Sequence, residues 1–168
     1  MVTVEELIEE VGSDATRFTF LSRSPESHME FDLGLAKTQS SENPVYYVQY
    51  AHARMASILR TAVERKIDFE SADLSLLTHA RELDLIRKII ELPAVVERAA
   101  ERLEPHHLPH YAMDLAKALQ GFYEDCRVIS SEDAELEISR ARLQLVQSAK
   151  LALSRTLSLM GMTSPESM

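Results

Sequence analysis

Seven apolar residues, Leu108, Ala112, Leu115, Leu119, Phe122, Cys126 and Ile129, recur at strictly alternating intervals of four and three. That spacing lands on one face only in an α-helix, where 3.6 residues per turn bring such positions into line. It predicts an amphipathic helix over 108–129. The same logic extends along the chain. Thr3 and Glu6 form a capping-box pair, which predicts a short helix through Leu7, Ile8 and Val11 closing at Gly12. Asp14 is expected to cap a second helix through Phe18 and Leu21, up to the Ser24-Pro25 break. Asn43 followed by Pro44 marks the start of a long helix whose stripe is Val48, Ala51, Met55, Ile58 and Ala62. Asp73 caps a short helix through Leu77, and Leu83, Ile86 and Ile90 mark a longer one that Pro93 ends or kinks. Val96, Ala99/Ala100 and Leu103 carry helix on to Glu104-Pro105. A last helix over about 132–160 has two stripes: Ile138, Ala141, Leu145, Ala149 and Ala152, then Leu143, Val146, Leu153 and Leu157. Such a helix packs on two sides, and Gly161 is its expected C-terminal cap.

No alternating β pattern competes, and only four glycines and six prolines in 168 residues speak against a turn-rich sandwich. The expected fold is an all-α helical bundle over 34–168, preceded by a small acid-rich helical segment over 1–33. The length suits one ordinary domain with a short appended segment. The longest apolar stretches fall far short of the ~18 residues of a membrane span, so no membrane role is expected. A single cysteine, Cys126, allows no internal disulfide and fits a reducing, cytoplasmic setting.

Eighteen basic against 27 acidic side chains give a net charge of −9, which by itself disfavours a nucleic-acid partner. The distribution weakens that objection. Residues 1–33 carry two basic and eight acidic groups, whereas 45–66 hold Arg54, Arg60, Arg65 and Lys66 against Glu64 alone. The stretch 138–168 sets Arg140, Arg142, Lys150 and Arg155 against Glu166. A local basic face is therefore compatible with the acidic total.

Catalytic signatures are missing. Glu104 and His107 have the Glu-x-x-His spacing of di-iron bundles, but Pro105 lies between them and no second copy exists. His106, His107 and His110 lack the cysteine or carboxylate set that would complete a tetrahedral site, so no metal site and no catalytic residue is expected. Cys126 sits on the apolar stripe and reads as a small hydrophobe. What stands out is aromatic and basic. At ~100° per residue, Tyr47 and Arg54 lie roughly 60–80° from the centre of the long helix's stripe and Tyr50 about 120°, while Tyr123 lies about 70° off its own. Tyrosine rings beside an arginine fork suit single-stranded nucleotides, through stacking and through hydrogen bonds to base edges and phosphate. On composition alone the plainer reading is favoured: half-buried packing tyrosines with hydroxyls in water.

The block Ser41-Glu42-Asn43-Pro44-Val45-Tyr46-Tyr47-Val48-Gln49-Tyr50-Ala51-His52-Ala53-Arg54 closely resembles the C-terminal region of arginyl-tRNA synthetases. The likeness extends upstream through Arg23-Ser24-Pro25, His28, Phe31-Asp32-Leu33 and Ala36-Lys37. Downstream it takes in Phe122-Tyr123, Cys126-Arg127-Val128, Ala141-Arg142-Leu143, Leu159-Met160-Gly161 and the ending Ser164-Pro165-Glu166-Ser167-Met168. The resemblance implies the anticodon-binding bundle of a class I aminoacyl-tRNA synthetase, an enzyme that joins arginine to tRNA(Arg) with ATP and Mg²⁺. The family's His-x-Gly-His motif and Lys-Met-Ser-Lys-type loop are absent, so the chain reads as a C-terminal fragment that needs no cofactor and is inactive by itself. Residues 1–33 would be the end of the catalytic half, abutting the inner bend of the tRNA. Tyr50, Arg54, Tyr123 and Met168 match the positions that surround the anticodon bases. Ser167 departs from the arginine that commonly precedes the terminal methionine. Tyr47, Arg60 and Arg142 are added from helix geometry and charge alone. The expected partner is tRNA(Arg), bound by a monomer, with no DNA partner. The competing class is a non-catalytic helical bundle that binds a protein through an apolar groove; it predicts that Tyr47, Tyr50 and Tyr123 are dispersed.

Overall fold

The computed structural model describes residues 3–24, 31–130 and 132–168. Eight α-helices and two 3₁₀ turns occur among them, with no strand: α1 (Val4–Val11), α2 (Ser13–Leu21), α3 (Leu33–Lys37), α4 (Pro44–Glu64), a 3₁₀ turn at Leu74–Leu76, α5 (Ala80–Ile90), α6 (Leu92–Arg102), α7 (His107–Asp125), a 3₁₀ turn at Asp133–Glu135 and α8 (Leu136–Leu159). The all-α reading holds. None of these helices is long and apolar enough to cross a membrane.

Local signals set the helix ends. Thr3 Oγ1 accepts from the Glu6 N–H at 3.2 Å while Glu6 Oε2 accepts from the Thr3 N–H at 2.8 Å, the reciprocal pair that starts α1. Asn43 starts α4 in the same spirit. Its Oδ1 accepts from the Val45 N–H at 3.1 Å and its amide donates to the carbonyls of Ala36 and Thr38, which ties the preceding loop to the cap. At the far end of α8, Gly161 takes a left-handed φ of 68° and the Met162 N–H donates back to Leu157 O at 2.9 Å. That turn sends the last residues back across α4.

The core lies between α4, α7 and α8, with α5 packed on α7 and α8. Val48, Met55 and Ala62 of α4 meet Ala112, Leu115, Leu119 and Phe122 of α7 and both predicted stripes of α8. Because α8 touches α4 on one side and α5 and α7 on others, both its stripes are buried. Ala15 and Phe18 of α2 join the same core, so α2 is packed into the bundle.

The structure corrects several local expectations. Asp14 does not cap α2, which starts at Ser13 after Gly12; its carboxylate instead accepts from the Thr163 N–H at 3.1 Å and from Gln49 Nε2 at 2.7 Å. A tertiary partner has replaced the local one. In α6 the buried residue is Val95, while Leu103 is 80% exposed in a left-handed conformation that ends the helix, with the Glu104 N–H donating to Ala99 O. Ile90 of α5 is exposed as well, and Leu85 takes the buried place. Helix α7 stops at Asp125 rather than running to 129. Cys126 is extended and a bend follows at 128–129, with Cys126 and Val128 buried while Arg127 between them is exposed. Helix α8 begins at Leu136, after the 3₁₀ turn. The expected Ser24-Pro25 break and His28 fall at or within residues 25–30, which lie outside the described ones.

Candidate nucleic-acid interface

Helix α4 turns its apolar stripe inward, which leaves Tyr46, Tyr50, Arg54 and Arg60 along its flank and outer face. Helix α7 ends beside that flank. There the Arg54 guanidinium lies 4.6 Å from the centroid of the Tyr123 ring, a cation–π contact, and Arg54 Nη1 donates to Gln120 Oε1 at 3.3 Å. The Tyr123 hydroxyl is enclosed without a hydrogen-bond partner, and burial pushes its phenol well above the ordinary tyrosine range, with the Arg54 charge opposing. Arg54, Ile58, Thr61, Tyr123 and the segment Cys126–Ile129 line a groove of about 260 Å³.

One turn back along α4, Tyr50 is 45% exposed and its ring stacks on Tyr46 with centroids 6.0 Å apart and planes 13° apart. Tyr46 in turn lines a second hollow, of about 540 Å³, together with Gln49, Asp14, Lys37 and Met168. Met168 reaches that wall because the tail is fastened at successive points. Arg17 donates to the Gly161 carbonyl and Gln49 Nε2 to the Thr163 carbonyl; His52 Nδ1 lies 2.8 Å from Pro165 O, and Arg60 Nη1 donates to Glu166 O at 3.0 Å. The Lys150 ammonium pairs with the Glu166 carboxylate at 2.7 Å. His52 is buried, and that burial lowers its imidazole pKa, which favours the neutral ring at the clamp.

The predicted residues therefore fall into three sets. Arg54 and Tyr123 share the groove; Met168 lines the other hollow with Tyr46, and Tyr50 lines neither but stands exposed against the Tyr46 ring, so the four carry-over positions do not form one pocket. Tyr47 is half-buried against the core, with burial, then the Glu124 charge, raising its phenol pKa. Arg60 holds the tail. Arg142 is not the open surface cation that its charge suggested: its Nε donates to Glu82 Oε1 at 2.7 Å and its Nη1 to Arg127 O at 2.9 Å, with Glu82 only 1% exposed. A partner sixty residues away claims it. The sequence reasoning missed Tyr46 and Gln120. Tyr46 carried a signal, being four residues before Tyr50 and so on the same face.

Glu104 and His107, set aside because of Pro105, do approach each other: Glu104 Oε2 lies 3.0 Å from His107 Nε2. The turn, closed by the His107 N–H to Glu104 O, brings them together without a continuous helix. His106 adds a third donor, all within 4.8 Å, at a partly exposed site.

The family description of the DALR anticodon binding domain matches residues 48–168. An arginine–tRNA ligase of Dehalococcoides mccartyi strain CBDB1 is 57% identical over 168 residues, all of this chain and 30% of the relative. That of Heliobacterium modesticaldum is 51% identical over 174 aligned residues, 99% of this chain and again 30% of the relative. The chain thus spans under a third of the curated relatives it matches. The solved arginyl-tRNA synthetase of Thermus thermophilus superposes with a TM-score of 0.80 at 31% identity, over 100% of this chain and 28% of that one. With a matched family spanning most of its length and a helical architecture to go with it, this chain belongs to the DALR anticodon binding domain family.

Proposed function

We propose that the chain binds the anticodon loop of tRNA(Arg) for an arginine–tRNA ligase, as a cytoplasmic monomer, and does no chemistry itself. The carrying observation is the Arg54 guanidinium set against the Tyr123 ring at the mouth of a groove. An unstacked base can layer onto such a plane, and the guanidinium fork can reach a base edge or phosphate. Tyr50, exposed and already stacked on Tyr46, offers a second platform, and Met168 closes the neighbouring hollow. In this reading residues 1–33 correspond to the end of the catalytic half and 34–168 to the anticodon-binding bundle. ATP and Mg²⁺ belong to the ligase reaction. The groove residues do not fit them, having no glycine loop for a triphosphate and no carboxylate for the metal.

A filter-binding titration tests the reading. The chain should bind a tRNA(Arg) transcript weakly, prefer it to the same transcript with a substituted anticodon, and lose affinity as salt rises. Equal binding to both transcripts, or none to either, would overturn it.

A further inference from the structure

We propose that Arg127 is a further tRNA-contacting residue, a cation on the rim of the Tyr123 groove directed at backbone phosphate and aimed by Arg142, which is itself paired with the buried Glu82. The inference rests on the groove being the tRNA interface. Arg127 is exposed and lines the groove with Arg54 and Tyr123. Among the described residues no hydrogen bond or ion pair holds its side chain. Its backbone is the opposite. Arg142 Nη1 donates to its carbonyl at 2.9 Å, and its neighbours Cys126 and Val128 are 2% and 7% exposed. With both neighbours buried, the exposed Arg127 side chain faces outward.

The mount continues inward. Cys126 Sγ lies 3.4 Å from His79 Nδ1, and the Ser130 N–H donates to Ser139 Oγ at 3.1 Å. Glu82 divides its carboxylate, Oε1 accepting from Arg142 Nε at 2.7 Å and Oε2 from the His79 N–H at 2.8 Å. Three elements, α5, α8 and the end of α7, thus fix one peptide. Arg142 has its charge answered by Glu82, whereas among the described residues no carboxylate is bonded to Arg127 or Arg54 on the rim. Two unanswered cations beside an aromatic plane form a surface for a polyanion whose bases are unstacked. Arg127 serves the phosphate, and Arg142 is a positioning residue that never touches the RNA.

The test is the salt dependence of tRNA(Arg) binding between about 50 and 200 mM salt, with melting temperatures measured on the same samples. Arg127→Gln should lower the log–log slope by about 0.7–0.9, weaken binding equally for transcripts differing in the anticodon, and leave melting unchanged. Arg127→Lys keeps the charge and should keep the slope. Arg142→Lys should weaken binding of the wild-type chain, yet add nothing in the Arg127→Gln background, a coupling that a purely structural role would not produce. If Arg127→Gln keeps the full slope while Tyr123→Ala still loses anticodon-dependent affinity, the Arg127 proposal falls and the interface reading stands. If the unaltered chain shows no preference for the tRNA(Arg) anticodon, the interface reading falls and this one with it.

Discussion

Arg54 and Arg142 look alike in the sequence, each a basic residue beside an apolar helical stripe in a locally positive stretch, but they sit in contrasting regions. Arg54 is exposed, faces an aromatic ring and, among the described residues, has the neutral Gln120 amide as its hydrogen-bond partner. Arg142 retains 18% side-chain exposure and is locked onto Glu82, itself 1% exposed. The exposed contact is worth about 0.5–1 kcal/mol and can yield to a ligand. Glu82 has given up its hydration and relies on Arg142 for compensation, so the pair tolerates the loss of Arg142 poorly. Charge in a sequence therefore does not locate a binding surface until the fold has decided which cations are already neutralised.

The largest effect expected from breaking this contrast is on the buried side. Arg142→Ala leaves the Glu82 carboxylate uncompensated in the interior and should cost about 3–5 kcal/mol of stability, read from urea unfolding. A loss below about 1 kcal/mol, the range of a surface pair, would place Glu82 in water and erase the distinction between the two regions.

Tyr123→Ala comes next. It removes the plane under Arg54, and tRNA affinity should fall by about 1–3 kcal/mol. Truncation at a half-buried site also lowers stability, so melting and binding must be measured together. An affinity loss no larger than the unfolded fraction explains would return Tyr123 to a packing role.

What could be read in advance divides along sequence distance. Helix α4 was legible because its cap, its Pro44 and its stripe are all local, and the two stripes of α8 followed from one periodicity. The end of α7 was not. Cys126 and Ile129 continue the alternating intervals, while the contacts that hold the chain beyond Asp125, Cys126 Sγ against His79 Nδ1 and Arg142 Nη1 donating to Arg127 O, come from residues far off in sequence. Glu82 and Arg142 are sixty residues apart, and Asp14 and Thr163 are 149 apart, so neither partnership leaves a mark in any short window. At the interface, the aromatic and basic positions were visible as residues off the stripe. Their separation was not, because Met168 reaches its hollow on a tail held by Asp14, Arg17, Gln49, His52, Arg60 and Lys150, contacts that no periodicity encodes.

A smaller effect separates shape from charge at the open site. Arg54→Lys keeps the positive charge but loses the planar face and the paired donors. Affinity should fall by roughly 0.5–1 kcal/mol, the size of an exposed cation–π contact, while the salt slope of binding stays as it was, since the number of neutralised phosphates is unchanged. A slope reduced by Arg54→Gln, which removes the charge, would mean that Arg54 pairs with phosphate instead of supporting a stacked base.

The smallest effect is expected from Tyr123→Phe, and it isolates the one polar atom of the groove's aromatic wall. The hydroxyl is enclosed and unpartnered in the free chain, and an unsatisfied buried group costs about 1–3 kcal/mol. Removing it should leave the melting temperature unchanged or raise it, with the ring and its contact to Arg54 intact. Alkaline titration gives an independent reading with a definite sign. Burial raises the folded-state pKa of this phenol above its unfolded value of about 10, so the contribution is fully present below about pH 10 and is lost as pH rises through the folded value. The phenylalanine variant should therefore lose less stability than the parent above that pH, and binding in the neutral range should show no tyrosine titration in either. A lower melting temperature for Tyr123→Phe would mean that the hydroxyl has a partner in solution. A clear loss of tRNA affinity with unchanged melting would mean that the RNA supplies that partner, making Tyr123 a hydrogen-bonding residue as well as a platform.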